Sequence, residues 1–69
     1  MTELEIMVNG EPHRLAAPAT ASDLLRQLGL DARTVVVELN RRIIRRPQLS
    51  DTALSDGDAV ELVHFVGGG

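Results

Sequence analysis

The glycine run that ends the sequence is the stretch with the most direct chemical use. Gly67, Gly68 and Gly69 follow Val66, and a glycine strand can pass through a slot too narrow for any Cβ atom. The α-carboxyl group of Gly69, with an ordinary pKa of about 3.5, is expected to be ionised at neutral pH. We therefore predict a flexible tail over residues 67–69 whose reactive group is the Gly69 carboxylate. Composition alone also allows a disordered end or a cloning remnant.

The other residues with chemical potential do not form a catalytic pattern. His13 and His64 stand far apart without ligand spacing, and the chain has no cysteine, so no zinc site is expected. His64 is predicted to pack at the rim of the core. Asp56 and Asp58 flank Gly57 and are interpreted as turn formers rather than metal ligands. Without a nucleophile–base pair, phosphate loop or carboxylate dyad, we predict that the chain is not an enzyme and holds no catalytic residue, metal or cofactor of its own.

The charges are unevenly distributed. The 69-residue chain has a net charge of −3, which argues against nucleic acid as a partner because phosphate binding needs a basic field. All seven basic residues are arginine, so the chain offers no lysine to which a protein C-terminus could be joined. An arginine cluster, Arg41, Arg42, Arg45 and Arg46, is interpreted as a solvated loop, with a patch for an acidic partner as the sharper alternative.

No membrane or export segment is apparent. No apolar run approaches membrane-spanning length, and the residues from Met1 to Glu5 are acidic where a signal peptide would be basic. We therefore expect a cytoplasmic protein that does not bind membranes.

The elements that must position the tail begin with a hairpin and a helix. Alternating apolar residues from Leu4 to Val8 predict a half-buried strand, and Asn9-Gly10 predicts a type I′ turn into a second strand, Glu11 to Ala16. Pro12 places that strand at a sheet edge. A short helix is then predicted from the capping-box pair Thr20 and Asp23, an apolar stripe, a Schellman end at Gly29 and a return of Leu30 onto Leu25. The stripe consists of Leu24, Leu25 and Leu28.

Three further strands are predicted in the second half of the chain. They cover residues 34–39, the pair Ile43-Ile44, and residues 59–66, with a loop or a single helical turn over 48–54 anchored by Leu49 and Leu54. Alternation places Val36, Val63 and Phe65 on the outer face of the sheet, with Met7 nearby, as an exposed apolar patch for docking a partner protein. One bulge would invert this assignment and make Phe65, the only aromatic residue, part of the core.

The order strand, strand, helix, strand, short strand, strand predicts an α+β fold. If the first and last strands pair in parallel, the fold is a ubiquitin-like β-grasp: a mixed sheet of four to five strands with one main helix packed on one face. The domain would span residues 1–66, followed by the tail at 67–69. A three-stranded α+β sandwich with a loose tail fits the same pattern.

A family resemblance extends over nearly the whole chain. It is carried by Asn9-Gly10, the segment from Val36 to Arg46, the turn from Asp56 to Asp58, and the ending from Val63 to Gly69. These residues resemble the thiamine-biosynthesis sulfur carrier family, ThiS. The most specific parts are the terminal diglycine and the stretch Asn-Arg-Arg-Ile-Ile-Arg-Arg over residues 40–46.

The resemblance implies a carrier cycle. An E1-like adenylyltransferase would bind the sheet face, draw Gly68 and Gly69 into its active site and use ATP and magnesium to adenylate the Gly69 carboxylate. A cysteine desulfurase system would supply sulfur, leaving a thiocarboxylate on Gly69, and thiazole synthase would accept that sulfur. The family motif needs two glycines, so Gly67 is interpreted as a spacer.

Other functions remain open on the residues alone. The closest is the molybdopterin-synthase small subunit, which shares the fold, the tail and the chemistry, and another pathway-specific sulfur carrier is also compatible. A ubiquitin-like modifier or a plain interaction module belongs to a different class.

Overall fold

The computed structural model describes residues 2–65, which form a five-stranded mixed sheet with an α-helix on one face. The elements are β1 (Glu3–Val8), β2 (Glu11–Ala16), α1 (Ala21–Leu28), β3 (Val35–Leu39), β4 (Arg42–Ile44) and β5 (Ala59–His64), with 3-10 turns at Ala32–Thr34 and Arg46–Asp51.

The strands lie in the order β2-β1-β5-β3-β4, with β1 and β5 parallel and the other neighbours antiparallel. This is the predicted β-grasp, and the three-stranded alternative is wrong. The predicted domain boundary after residue 66 and the glycine tail lie outside the described residues.

Two tight turns of the same kind close the two hairpins. Asn9 and Gly10 have φ values of 50° and 82°, and Asn40 and Arg41 have 50° and 71°. Positive φ at both central residues is the signature of the type I′ turn, whose twist matches that of the flanking strands. The first turn follows the predicted Asn-Gly pattern, whereas the second places Arg41 where glycine is usual.

Helix α1 is capped at both ends as predicted. The Thr20 hydroxyl accepts a hydrogen bond from the Asp23 N–H at 3.2 Å, and the Asp23 carboxylate accepts one from the Thr20 N–H at 2.8 Å. At the other end Gly29 has a φ of 72°, and the Leu30 N–H donates to the Leu25 carbonyl at 2.9 Å. These bonds satisfy polar groups that a helix of only eight residues would otherwise leave unpaired.

The core lies between α1 and the inner face of the sheet. Ile6, Leu24 and Val60 have the most deeply buried side chains, and the predicted anchors Leu49 and Leu54 are buried with them. Leu49 lies in the second 3-10 turn, which matches the expected single helical turn. In the described part of the chain, no helix has the length and apolarity needed to cross a bilayer.

The central strand β5 is held by an asparagine from each hairpin turn. The Asn9 amide accepts from the Leu62 N–H at 2.7 Å and donates to the Leu62 carbonyl at 3.3 Å. On the other side, the Asn40 amide accepts from the Ala59 N–H at 2.9 Å and donates to the Asp58 carboxylate at 3.0 Å. These contacts fix the strand that leads toward the glycine tail.

Candidate docking face beside the last strand

The predicted docking residues lie together on the open face of the sheet. Val36 and Val63 are direct register partners across β3 and β5, and Phe65 follows two residues later on the same face. Val63 is 53% exposed and Phe65 63% exposed. The outward assignment is therefore confirmed, and the alternative that buries Phe65 is wrong.

The end of β5 is anchored beside this face. The Phe65 N–H donates to the Thr34 carbonyl at 2.9 Å, so the sheet pairing continues to the last described residue. The predicted reactive residues Gly67, Gly68 and Gly69 lie beyond the described part of the chain.

The exposed apolar patch in the structure differs from the predicted patch at two residues. Met7 is the register partner of Ala59, four residues along β5 from Val63, which is about 13 Å at the rise of a strand. Met7 therefore does not join the patch. Its place is taken by Ile43 on β4, which is 66% exposed and lies opposite Glu38. The sequence identified Ile43 as a strand residue, but a strand of three residues is too short for alternation to assign its face.

Two carboxylates lie directly opposite each other on the same open face. Glu38 of β3 and Glu61 of β5 are register partners, next to the Val36–Val63 pair. Like charges in this position destabilise a sheet by roughly 0.2–1 kcal/mol. The face therefore combines an apolar half near Phe65 with an acidic pair farther along the strands.

A groove adjoins the apolar half, with a volume of about 260 Å³. Its walls combine apolar and arginine side chains. The lining residues are Ala32, Arg33, Val35, Val36, Ile43, Ile44, Arg45, Arg46 and Phe65.

The arginines of this region differ in their pairing. Arg33 donates to the Asp31 carboxylate at 2.8 Å, and this hydrogen bond is the main reason that the pKa of Asp31 falls from 3.8 to about 2. The four residues of the arginine cluster are exposed, and none forms an ion pair within residues 2–65. They occupy the second hairpin turn, β4 and the start of the second 3-10 turn rather than one irregular loop.

The remaining candidate residues have structural roles or none. The Asp56 carboxylate accepts from the Glu5 N–H at 2.8 Å and that of Asp58 from the Ser55 N–H at 2.7 Å, so their interpretation as turn formers is confirmed. His64 is exposed, not packed at the core rim as predicted. Among residues 2–65, no three His, Asp or Glu side chains are grouped to hold a metal ion.

Together, the sheet order, the capped helix and the open apolar face define a ubiquitin-like β-grasp protein. A crystal structure of a thiamine biosynthesis protein (ThiS) from Geobacter metallireducens has the same fold, with a TM-score of 0.82 and 38% identity over 96% of this chain and 100% of that chain. The sequence also matches the ThiS family over residues 6–69. The chain therefore belongs to the ThiS family of sulfur carriers.

The chain resembles proteins named as sulfur carriers and proteins named as thiazole synthases. The sulfur carrier protein ThiS of Bacillus subtilis is 44% identical over 50 residues, covering 72% of this chain and 76% of that protein. Thiazole synthases of Paramagnetospirillum magneticum and Magnetococcus marinus are each 39% identical over 66 residues, or 96% of this chain. The chain spans only 20% of the length of these two proteins.

Proposed function

We propose that the protein is a cytoplasmic sulfur carrier of thiamine biosynthesis that acts as a protein co-substrate. The Gly69 carboxylate is adenylated by an E1-like enzyme, converted to a thiocarboxylate and used as the sulfur donor for thiazole formation. The observation that carries this proposal is the family match, which runs through the glycine run to residue 69.

The chemistry takes place on the carboxyl group of Gly69. A carboxylate oxygen attacks the α-phosphorus of magnesium-bound ATP in the partner, and the bond to pyrophosphate breaks. A persulfide from a cysteine desulfurase system then attacks the acyl carbon and AMP leaves. A thiol cleaves the S–S bond of the resulting acyl disulfide, which leaves the thiocarboxylate on Gly69 and a disulfide on the donor.

The chain contributes positioning to these steps. Phe65, Val63 and Val36 offer the adenylyltransferase an apolar surface on a rigid sheet, immediately before the tail. Gly67 and Gly68 have no side chain to hinder entry into a narrow active site, where exclusion of water protects an acyl adenylate from hydrolysis.

The relatives support thiazole synthase as the sulfur acceptor. Two proteins of that name contain a segment that is 39% identical to almost the whole of this chain. A carrier that delivers sulfur to thiazole synthase accounts for both this similarity and the similarity to proteins named ThiS.

The first test is sulfur loading measured by intact mass. With its adenylyltransferase, ATP, magnesium and a persulfide donor, the native chain should gain the mass that corresponds to one oxygen replaced by sulfur. Gly68→Val should block loading because its side chain obstructs entry. Removal of two glycines should also block loading because it leaves fewer than the family motif needs and draws the carboxylate back by about 7 Å.

The control for this test is Ala16→Val, which adds an apolar side chain on the edge strand β2. It should load normally, and all variants should melt close to the native temperature. Loading of the Gly68→Val protein, or a product that carries only amide-linked conjugates, would contradict the proposal.

The second test concerns the docking face. Phe65→Asp should weaken binding to the adenylyltransferase, measured by calorimetry, because it places a charge in the centre of an apolar contact. Met7→Asp introduces the same charge on the same face, about 13 Å from Val63, and should bind nearly as tightly as the native chain. Equal losses in both variants would show that the predicted patch does not direct docking.

A further inference from the structure

The groove beside Phe65 forms where β4 leaves the sheet. Strand β3 begins at Val35, but only its last three residues, Val37 to Leu39, pair with β4. The pairing stops where Val37 lies opposite Ile44. After Ile44 the chain turns away into the second 3-10 turn, which begins at Arg46. Within residues 2–65, the first part of β3 therefore has no neighbouring strand on this side.

The backbone of Val35 faces the space that β4 has left. Thr34 and Asn40 flank β3, and both form backbone hydrogen bonds on the β5 side: the Thr34 carbonyl accepts from the Phe65 N–H, and the Asn40 N–H donates to the Ala59 carbonyl. The even-numbered residues of β3 therefore direct their backbone groups toward β5. Backbone groups alternate in direction along an antiparallel strand, so those of Val35 point the other way. Within residues 2–65, Val35 makes no backbone hydrogen bond outside the regular strand pairing. Val35 is only 6% exposed but lines the groove, so its N–H and carbonyl would be reached by an extended segment that enters the groove.

The side chains around this backbone select the chemistry of the segment. Ile43 and Phe65 supply exposed apolar surface, and Arg45 and Arg46 supply two guanidinium groups that form no ion pair within the described residues. Arginine and aromatic side chains are enriched at protein interfaces. Arginine also binds carboxylates through paired hydrogen bonds.

We infer that this groove binds an extended acidic segment of a partner protein. The segment adds to the free edge of β3 at Val35, places an apolar side chain against Ile43 and Phe65, and directs carboxylates to Arg45 and Arg46. This inference rests on the proposed function, which supplies the docking partner. It does not require that the chain is loaded with sulfur.

The charges of the whole molecule favour a protein segment over nucleic acid. The chain carries a net charge of −3, and Glu38 and Glu61 lie on the open face next to the apolar half. A polyphosphate backbone crossing this face would meet those carboxylates, whereas the carboxylates of a short segment in the groove would face the guanidinium groups of Arg45 and Arg46.

The test is a titration of the ¹⁵N-labelled full-length chain, followed by amide chemical shifts. The probe is a blocked heptapeptide of alternating aspartate and leucine. Shift changes should concentrate at residues 33–36, 43–46 and 65, and the dissociation constant should increase with salt. A heptapeptide in which asparagine replaces aspartate should bind roughly fivefold more weakly.

Matched variants separate the arginine contribution from net charge. The double variant Arg45→Gln, Arg46→Gln should bind the acidic peptide about fivefold more weakly than the native chain. Native-like amide spectra will show that this variant folds. The double variant Arg14→Gln, Arg26→Gln, which removes the same charge at exposed positions on β2 and α1, should leave the affinity within about twofold. Equal losses in both, equal binding of the asparagine peptide, or equally tight binding of an oligouridylate would overturn the inference.

The outcome is separable from that of the proposed function. If the native chain loads sulfur but the acidic peptide produces no shifts at the groove, the inference fails and the carrier function stands. If the peptide binds as expected but Gly68→Val still loads sulfur, the proposed use of the tail fails.

Discussion

Asp31 illustrates how a single carboxylate is controlled by its neighbours. Its side chain caps the first 3-10 turn by accepting from the Arg33 N–H at 2.8 Å, and it also pairs with the Arg33 guanidinium. The side-chain hydrogen bond and then the backbone hydrogen bond from Arg33 lower its pKa, and Arg46 contributes a smaller attraction. The groove arginines Arg33 and Arg46 thus act on the residue that caps the 3-10 turn before β3.

This arrangement predicts a pH dependence. The pKa of Asp31 is lowered from 3.8 to about 2, so its contribution to stability is fully present above pH 3.8 and is lost as the pH falls through 2. A carboxyl-carbon NMR titration should give a midpoint near 2 for Asp31. Arg33→Gln should raise this midpoint toward 3.8, whereas Arg26→Gln, whose ion pair is with Asp23, should leave it unchanged. A midpoint unaffected by Arg33→Gln would contradict the assigned cause.

The second hairpin turn holds a residue that suits its position poorly. Arg41 has a φ of 71° in a type I′ turn. A residue with a Cβ atom destabilises the folded state by about 1–2 kcal/mol in this conformation, whereas glycine destabilises it by about 0.5–1 kcal/mol because it loses more backbone freedom on folding. Arg41→Gly should therefore raise the free energy of unfolding by up to about 1.5 kcal/mol, measured by urea denaturation.

The neighbouring residue provides the control for this prediction. Arg42 lies in β4 and has no positive φ, so Arg42→Gly should destabilise the chain by about 0.5–1 kcal/mol. Both changes remove one arginine, so opposite signs would isolate the backbone effect. A loss of stability in both variants would show that the turn tolerates arginine without cost.

The capping box determines whether α1 can form at its short length. Thr20→Ala removes the hydroxyl that accepts from the Asp23 N–H and should cost about 1 kcal/mol. In a domain of this size, that loss lowers the melting temperature by about 4–8 °C. Thr20→Ser should restore most of the loss because serine also caps well. Thr2→Ala, at an exposed position, should leave the melting temperature unchanged; an equal decrease there would contradict the capping role.

Across the whole molecule, local patterns predicted the elements, whereas contacts between distant segments decided the details of the site. The turn at Asn9-Gly10, the caps of α1 and the outward position of Phe65 each follow from residues within one turn or strand. The position of Met7 does not, because alternation identifies a face but not the register between β1 and β5. That register is set by pairing over more than fifty residues of sequence.

His64 and Ile43 show the same limit. Alternation places His64 on the inner face with Val60 and Leu62, yet His64 is exposed although its register partner Val35 is buried. Alternation therefore assigns a face but not the depth of cover at the end of a strand. The end of β4 after Ile44 was predicted, and Pro47 in the first turn of the following 3-10 segment marks it. The groove was not predicted, because local pattern does not show that the space left there lies beside Phe65.

The central position of β5 has a consequence for biosynthesis. The two hairpins lie on opposite sides of this strand, and it is the last of the strands to leave the ribosome. Until Ala59 to His64 emerge, neither half has its lateral neighbour, and the asparagine amides of both turns lack their strand partners. Nascent chains are thus expected to assemble this sheet in a single late step rather than progressively from the N-terminus.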